Sequence, residues 1–117
     1  MLNQMNSYTN RTESDILFNI LGNYNADMCY QYQKDRWECD PDYKEYPQFE
    51  VAIDKRDIPC WSLGNLLTIL PSSSLDTSDD HYFRIHCNGM FSEWHETPVA
   101  ACIEMIKKLD ENDMLDI

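Results

Sequence analysis

The segment Ile58-Pro59-Cys60-Trp61-Ser62-Leu63-Gly64-Asn65-Leu66-Leu67-Thr68-Ile69-Leu70-Pro71 constrains the fold more than any other part of the chain. Ser62 can cap a helix, because its hydroxyl accepts from N–H groups that the first turn leaves unpaired. Leu63, Leu66, Leu67 and Leu70 then recur at i, i+3, i+4 and i+7, the spacing that lines one helical face. Pro71 stops the helix, since it has no N–H and pushes Leu70 toward extended backbone. A short amphipathic helix over 62–70 follows, with Trp61 closing the core at its mouth.

Two further helices flank it. Thr12 with Asp15 three residues on resembles a capping box, and Glu13 and Asp15 suit the positive end of a helix. Ile16, Leu17, Ile20 and Leu21 form its stripe, and Gly22-Asn23 supplies a left-handed stop, which gives a helix over 12–22. Near the other end Thr97-Pro98 opens a helix over 97–109, with threonine as cap and proline at the first helical position. Val99, Cys102, Ile103, Ile106 and Leu109 make its apolar face. Residues 1–11 read as a polar, flexible lead-in, and 12–117 as a single domain.

Strand signals fill the intervals. Met28, Tyr30 and Tyr32 alternate with polar neighbours as in a half-buried strand, and Trp37 and Cys39 extend it. The prolines and charges from Asp40 to Pro47 form a loop. Phe49, Val51 and Ile53 alternate again as a short strand. Residues 72–80 read as an acidic, solvated loop. Phe83, Ile85 and Cys87 then share one face of a strand, while Tyr82, Arg84 and His86 share the other. Asn88-Gly89 is the preferred two-residue hairpin turn, because both positions adopt positive φ at little cost. Met90 to Glu96 return antiparallel. The expectation is an α+β fold: a small antiparallel sheet, the hairpin plus one or two N-terminal strands, packed by three helices.

Charge narrows the partners. Twenty-one acids against nine bases give a net charge of −12. Such a surface repels phosphates and anionic lipid, so a nucleic-acid groove and a membrane patch are both disfavoured. Solubility accounts for the acidity; imitation of nucleic-acid phosphates toward a basic partner is the sharper alternative. No run of residues is long and apolar enough for a membrane span, and Met1 to Arg11 carry no signal-peptide pattern. Five scattered cysteines, an odd number, suit a reduced cytoplasmic setting.

No catalytic constellation is complete. His81, His86, Cys87 and His95 lie close in sequence, but no Cys-x-x-Cys or His-x-x-x-His spacing joins them, and adjacent strand residues point to opposite faces. Cys60 precedes a helix start, where a thiol can be activated, yet it has no identifiable histidine partner. Glu93 and Glu96 flank His95 without the second histidine of a zinc protease. Three glycines in total leave no phosphate loop. The residues that remain are aromatic. Trp61, with Ser62, Leu63, Leu66, Leu67 and Leu70, is assigned to structure. Tyr24, Tyr30, Tyr32, Tyr43 and Tyr46 are assigned to a contact face for another protein, because tyrosine supplies large contact area.

The segment Ile58-Pro59-Cys60-Trp61-Ser62-Leu63-Gly64-Asn65-Leu66-Leu67 with Leu70-Pro71 resembles a motif of small uncharacterised proteins encoded by phages and mobile elements of gut anaerobic bacteria. So does the ending Thr97-Pro98-Val99-Ala100-Ala101-Cys102-Ile103-Glu104-Met105-Ile106-Lys107-Lys108-Leu109 followed by Met114-Leu115, and so does Ala26-Asp27-Met28. The resemblance covers about half of the chain and lies in caps and cores, so it carries over no catalytic residue. It implies a phage-associated protein in the cytoplasm of a bacterial host cell. The combined expectation is a non-enzymatic, cofactor-free protein-binding module. Its alternatives are an acidic nucleic-acid mimic that inhibits a host defence enzyme, and a small enzyme using a thiol or metal at Cys60, His81, His86 or His95.

Overall fold

The structure, a computed structural model, describes residues 7–32, 43, 46–52, 56–70 and 72–115. Among these run α1 (Arg11–Leu21), β1 (Met28–Tyr30), β2 (Ile58–Cys60), α2 (Leu63–Ile69), β3 (Ser74–Thr77), β4 (Phe83–Cys87), β5 (Met90–Phe91) and α3 (Pro98–Glu111). The strands form two antiparallel sheets, β1-β2 and β3-β4-β5, so the expected α+β class holds with two small sheets in place of one. The expected extension through Trp37 and Cys39, most of the 40–47 loop, Ile53 and the stop at Pro71 lie outside the described residues.

Local capping chemistry starts each helix. For α1 the cap is Asn10, not Thr12: its Oδ1 accepts from Glu13 N at 2.8 Å, and Glu13 Oε1 accepts from Asn10 N at 2.9 Å. Glutamate reaches back to the cap N–H where the shorter Asp15 does not, so the box forms two residues earlier than expected, from Asn10 to Glu13. Gly22, at φ 62°, ends α1 and donates to Phe18 O at 2.9 Å. Ser62 caps α2 by accepting from Asn65 N, and Thr97 caps α3 by accepting from Ala100 N, with Pro98 at the first turn.

Residues 7–9, expected within the flexible lead-in, pack onto the fold. Thr9 is fully buried, and Tyr8 bridges Ser62 in antiparallel fashion. Thr9 N donates to Trp61 O at 2.9 Å and Leu63 N to Ser7 O at 2.7 Å, which lays residues 7–9 along the chain leading into α2. On the other side of that chain, β2 pairs with β1 in the register Met28↔Cys60, Cys29↔Pro59, Tyr30↔Ile58. Cys29 exchanges both of its backbone bonds with Gln48 instead. Pro59 therefore faces a residue whose N–H and C=O point away from it, the position where a strand tolerates a missing N–H. Phe49 and Val51, expected in a strand, are exposed and lie in bends or open chain.

The second sheet includes a strand that the sequence reading assigned to loop. Ser74–Thr77 pairs with β4 in the register Leu75↔Ile85 and Asp76↔Arg84. Its residues are mostly exposed, so it carries no apolar alternation and is held by backbone pairing and the Asp76–Arg84 ion pair. The β4–β5 turn is as expected, with Asn88 at φ 53° and Gly89 at φ 80°.

The returning chain does not stay in step. Cys87↔Met90 and His86↔Phe91 set a register that would bring Trp94 opposite Phe83, but Phe83 exchanges both backbone bonds with His95, each at 2.7 Å. Ile85 N donates to Ser92 Oγ at 3.0 Å, where regular pairing would use the Ser92 carbonyl. One extra residue has entered the ladder, so Glu93 and Trp94 together oppose Arg84. This is a β-bulge, and it shortens β5 to two regular residues.

The main core joins α1 (Leu17, Leu21), Trp61, α2 (Leu66, Ile69, then Leu70), β4 (Ile85, Cys87) and most of α3. Leu63 and Leu67 sit at its rim, because the buried side of α2 runs through Leu66, Ile69 and Leu70 and not along the full leucine stripe. A smaller core of Met28, Tyr30 and Cys60 lies beneath the first sheet.

Candidate functional site

On β4 the alternation is strict: Phe83, Ile85 and Cys87 are buried, while Arg84 and His86 face outward. Pairing adds Asp76 beside Arg84 and Phe91 beside His86 on that outer face. The bulge adds Trp94. Arg84 Nη2 lies 3.1 Å from Asp76 Oδ2, and its guanidinium sits 4.5 Å from the ring centroids of both Phe91 and Trp94. His86 stacks on the same Phe91 ring, at 4.2 Å between centroids and 7° between planes. A cation held between two rings and fixed by a carboxylate loses little freedom when a partner covers it. Phe91 and Trp94 nevertheless remain 48% and 43% exposed.

Beside this stack an open cleft of about 390 Å3 is lined by Ser78, Asp80, Tyr82 and Trp94. The loop that forms its floor is tightly self-bonded. Ser78 N donates to Tyr82 O at 2.9 Å, and Ser78 Oγ accepts from Tyr82 N at 3.1 Å. His81, at φ 66°, closes the turn.

Of the tyrosines expected to form a contact face, Tyr30, Tyr32 and Tyr43 gather at the smaller core. Tyr30 is buried, and its hydroxyl donates to Thr9 O at 2.9 Å, so it belongs to the smaller core. Burial pushes its phenol pKa well up, with Cys60 and Tyr8 adding to the effect. Tyr32 and Tyr43 are half-buried and meet edge to face at 5.5 Å, with Arg56 over the first and Arg11 over the second. Tyr24 and Tyr46 are exposed, and the Tyr24 carbonyl accepts from Trp61 Nε1 at 2.8 Å. The aromatic face of the second sheet was half visible in sequence, since Tyr82, Arg84 and His86 alternate there. Trp94 was not, because a regular register turns it inward.

The groups considered for catalysis lie apart. Cys60 packs against Thr9, whose Oγ1 donates to its Sγ at 3.3 Å. Burial pushes the Cys60 thiol above its usual range, against hydrogen bonds from Thr9 and Ser14 that pull the other way. Burial likewise raises Cys87, and Cys102 to about 12. Thiols held protonated are poor nucleophiles. His86 is stacked on Phe91, and His81 sits exposed in its turn. His95 turns to neither Glu93 nor Glu96; its Nε2 lies 2.6 Å from Glu104 Oε1 on α3. Among the described residues no three His, Cys, Asp or Glu side chains come together as a metal-holding group. Among them, too, no helix is long and apolar enough to cross a membrane.

Glu104 fastens the bulge to α3. Its Oε1 also accepts from Glu93 N at 2.9 Å, and Lys108 Nζ lies 3.5 Å from Oε2. Burial alone would raise its pKa, but the His95 and Glu93 hydrogen bonds and the charges of His95 and Lys108 outweigh it and hold the carboxyl below its usual value of 4.5. A carboxyl lowered on folding stabilises above its unfolded pKa, and that stabilisation is lost as pH falls through the folded value. The stability gap between the native chain and Glu104→Gln, measured by urea unfolding, should therefore be full near neutrality and shrink progressively below about pH 4. A gap constant from neutral to strongly acid pH would show that the carboxylate contributes nothing there. Comparison with protein-family models, with curated proteins and with solved structures gives no match.

Proposed function

We propose that this chain is a protein-binding module that acts without catalysis, and that it engages its partner through the outer face of the β3-β4-β5 sheet. The observation that carries this reading is the Phe91–Arg84–Trp94 stack, two half-exposed aromatic rings locked around one guanidinium. Tryptophan, tyrosine and arginine dominate the energetics of protein interfaces, and rings already ordered cost little to immobilise. The resemblance of the 58–71 and 97–109 segments to small phage and mobile-element proteins directs the search for that partner to proteins of a bacterial host.

The test is capture of a host-lysate partner by the native chain and by Trp94→Ala and Phe91→Ala. Both substitutions lie on the exposed face, so unfolding midpoints should change little. Each should weaken capture of the same partner by about tenfold or more. Capture unaffected by either change would overturn this face as the contact surface. Turnover of a substrate by the purified chain would overturn the non-catalytic reading.

A further inference from the structure

We infer that the cleft between the Ser78–Tyr82 turn and Trp94 accepts an arginine side chain of the partner protein. This rests on the module reading above and names the chemistry that the face selects. Three features converge on a guanidinium. Trp94 and Tyr82 offer two aromatic rings to one cleft, 43% and 41% exposed. The Asp80 carboxylate lines the same cleft and has no hydrogen-bond or ion-pair partner among the described residues, while Asp80 N is tied to Ser78 Oγ at 3.3 Å. An unpaired carboxylate beside aromatic rings is the set of groups that recognises a cation.

The third feature is an example of the interaction within the molecule. Arg84 already lies 4.5 Å from the Trp94 centroid with a carboxylate, Asp76, as its ion-pair partner. The cleft repeats that arrangement with the cation left out: Tyr82 takes the place of Phe91, and Asp80 the place of Asp76. A planar guanidinium stacks on rings where a strongly hydrated ammonium does so less well, so arginine is preferred to lysine. The net charge of −12 favours the same partner at longer range, because an acidic surface steers a basic one toward it. The loop that holds Asp80 and Tyr82 is braced by Ser78, so the groups are in place before the ligand arrives.

The probe is an acetylated, amidated Gly-Arg-Gly-Arg-Gly peptide, titrated into the isotope-labelled full chain at fixed ionic strength. Its citrulline counterpart keeps the shape and removes the charge. The arginine peptide should shift the Trp94 indole N–H and the Tyr82 ring resonances, and the citrulline peptide should leave them in place. Asp80→Asn should weaken binding by roughly two- to fivefold, the range expected of one cation contact at an exposed site. Asp79→Asn removes the same charge from a residue outside the cleft lining, and should have less effect. Equal shifts from the citrulline peptide, or equal weakening by Asp79→Asn and Asp80→Asn, would overturn the inference. If capture of a host partner depends on Trp94 and Phe91 yet ignores Asp80→Asn, the module stands and the arginine pocket falls. If the peptide titrates the cleft as expected but no captured partner depends on Trp94, the pocket stands and the proposed face falls.

Discussion

Trp61→Ala is expected to lower the free energy of unfolding by about 3–5 kcal/mol, the cost of removing a large aromatic side chain from a packed core. Trp61 is wholly inaccessible to solvent and belongs to the core that α1, α2, β4 and α3 share. Its loss is large against the roughly 5–15 kcal/mol that stabilises a domain of this size. The indole also ties the loop after α1 to the start of α2 through Nε1 and the Tyr24 carbonyl. Trp61→Phe keeps most of the buried area and removes that hydrogen bond, so it should cost about 1 kcal/mol for the bond beyond any packing change. Urea unfolding checks both: the midpoint should fall steeply for alanine and slightly for phenylalanine, with the slope unchanged. An alanine variant within about 0.5 kcal/mol of the native chain would show that the ring is not part of the core.

Thr9→Val should be nearly as damaging, although it preserves shape. Three groups converge on Thr9 Oγ1: Ser14 Oγ at 2.7 Å, Trp61 N at 3.1 Å and Cys60 Sγ at 3.3 Å. One proton arrangement satisfies them all. Ser14 O–H and Trp61 N–H donate to the threonine oxygen, and its own proton goes to the thiol sulfur, one donor and two lone pairs fully used. Valine leaves the Trp61 N–H buried without an acceptor, at about 1–3 kcal/mol, and strips the Ser14 hydroxyl of its Thr9 partner. Thr9→Ser keeps the hydroxyl and should cost only about 0.8 kcal/mol, one buried methyl. If valine proves milder than serine in the same unfolding experiment, the hydroxyl is not the joint that fixes residues 7–9 to β2.

The helices were legible because their signals are local. Ser62, Thr97, Pro98 and Gly22 act within a turn of themselves, and the leucines between them repeat at helical period. The capping box of α1 lies two residues earlier than its threonine suggests because partner choice turns on reach, Glu13 against Asp15. Phe83–Cys87 was legible as a strand because one face is buried and the other is not. Met28–Tyr30 was legible too, although it is buried on every residue and not on one face alone. Ser74–Thr77 is exposed on nearly every residue, so it gives no alternation to read. Ile58–Cys60 contains a proline that argues against a strand unless the facing residue pairs elsewhere, as Cys29 does with Gln48. The candidate site was readable to the same extent: Tyr82, Arg84 and His86 follow from alternation. Tyr30 was misplaced because composition cannot tell a tyrosine whose hydroxyl finds a buried carbonyl from one that meets solvent.

The bulge at Ser92–Trp94 means that this ribbon can be laid down in two ways, one residue apart. In the straight version Glu93 alone would stand across from Arg84, a plain ion pair, and the indole would turn toward the interior beside Phe83. In the slipped version the indole comes to the surface. In that version a carboxylate on α3 grips the Glu93 amide and the His95 ring together. Changes in spacing across those three residues should therefore matter more to the outer face of the sheet than changes in their identity.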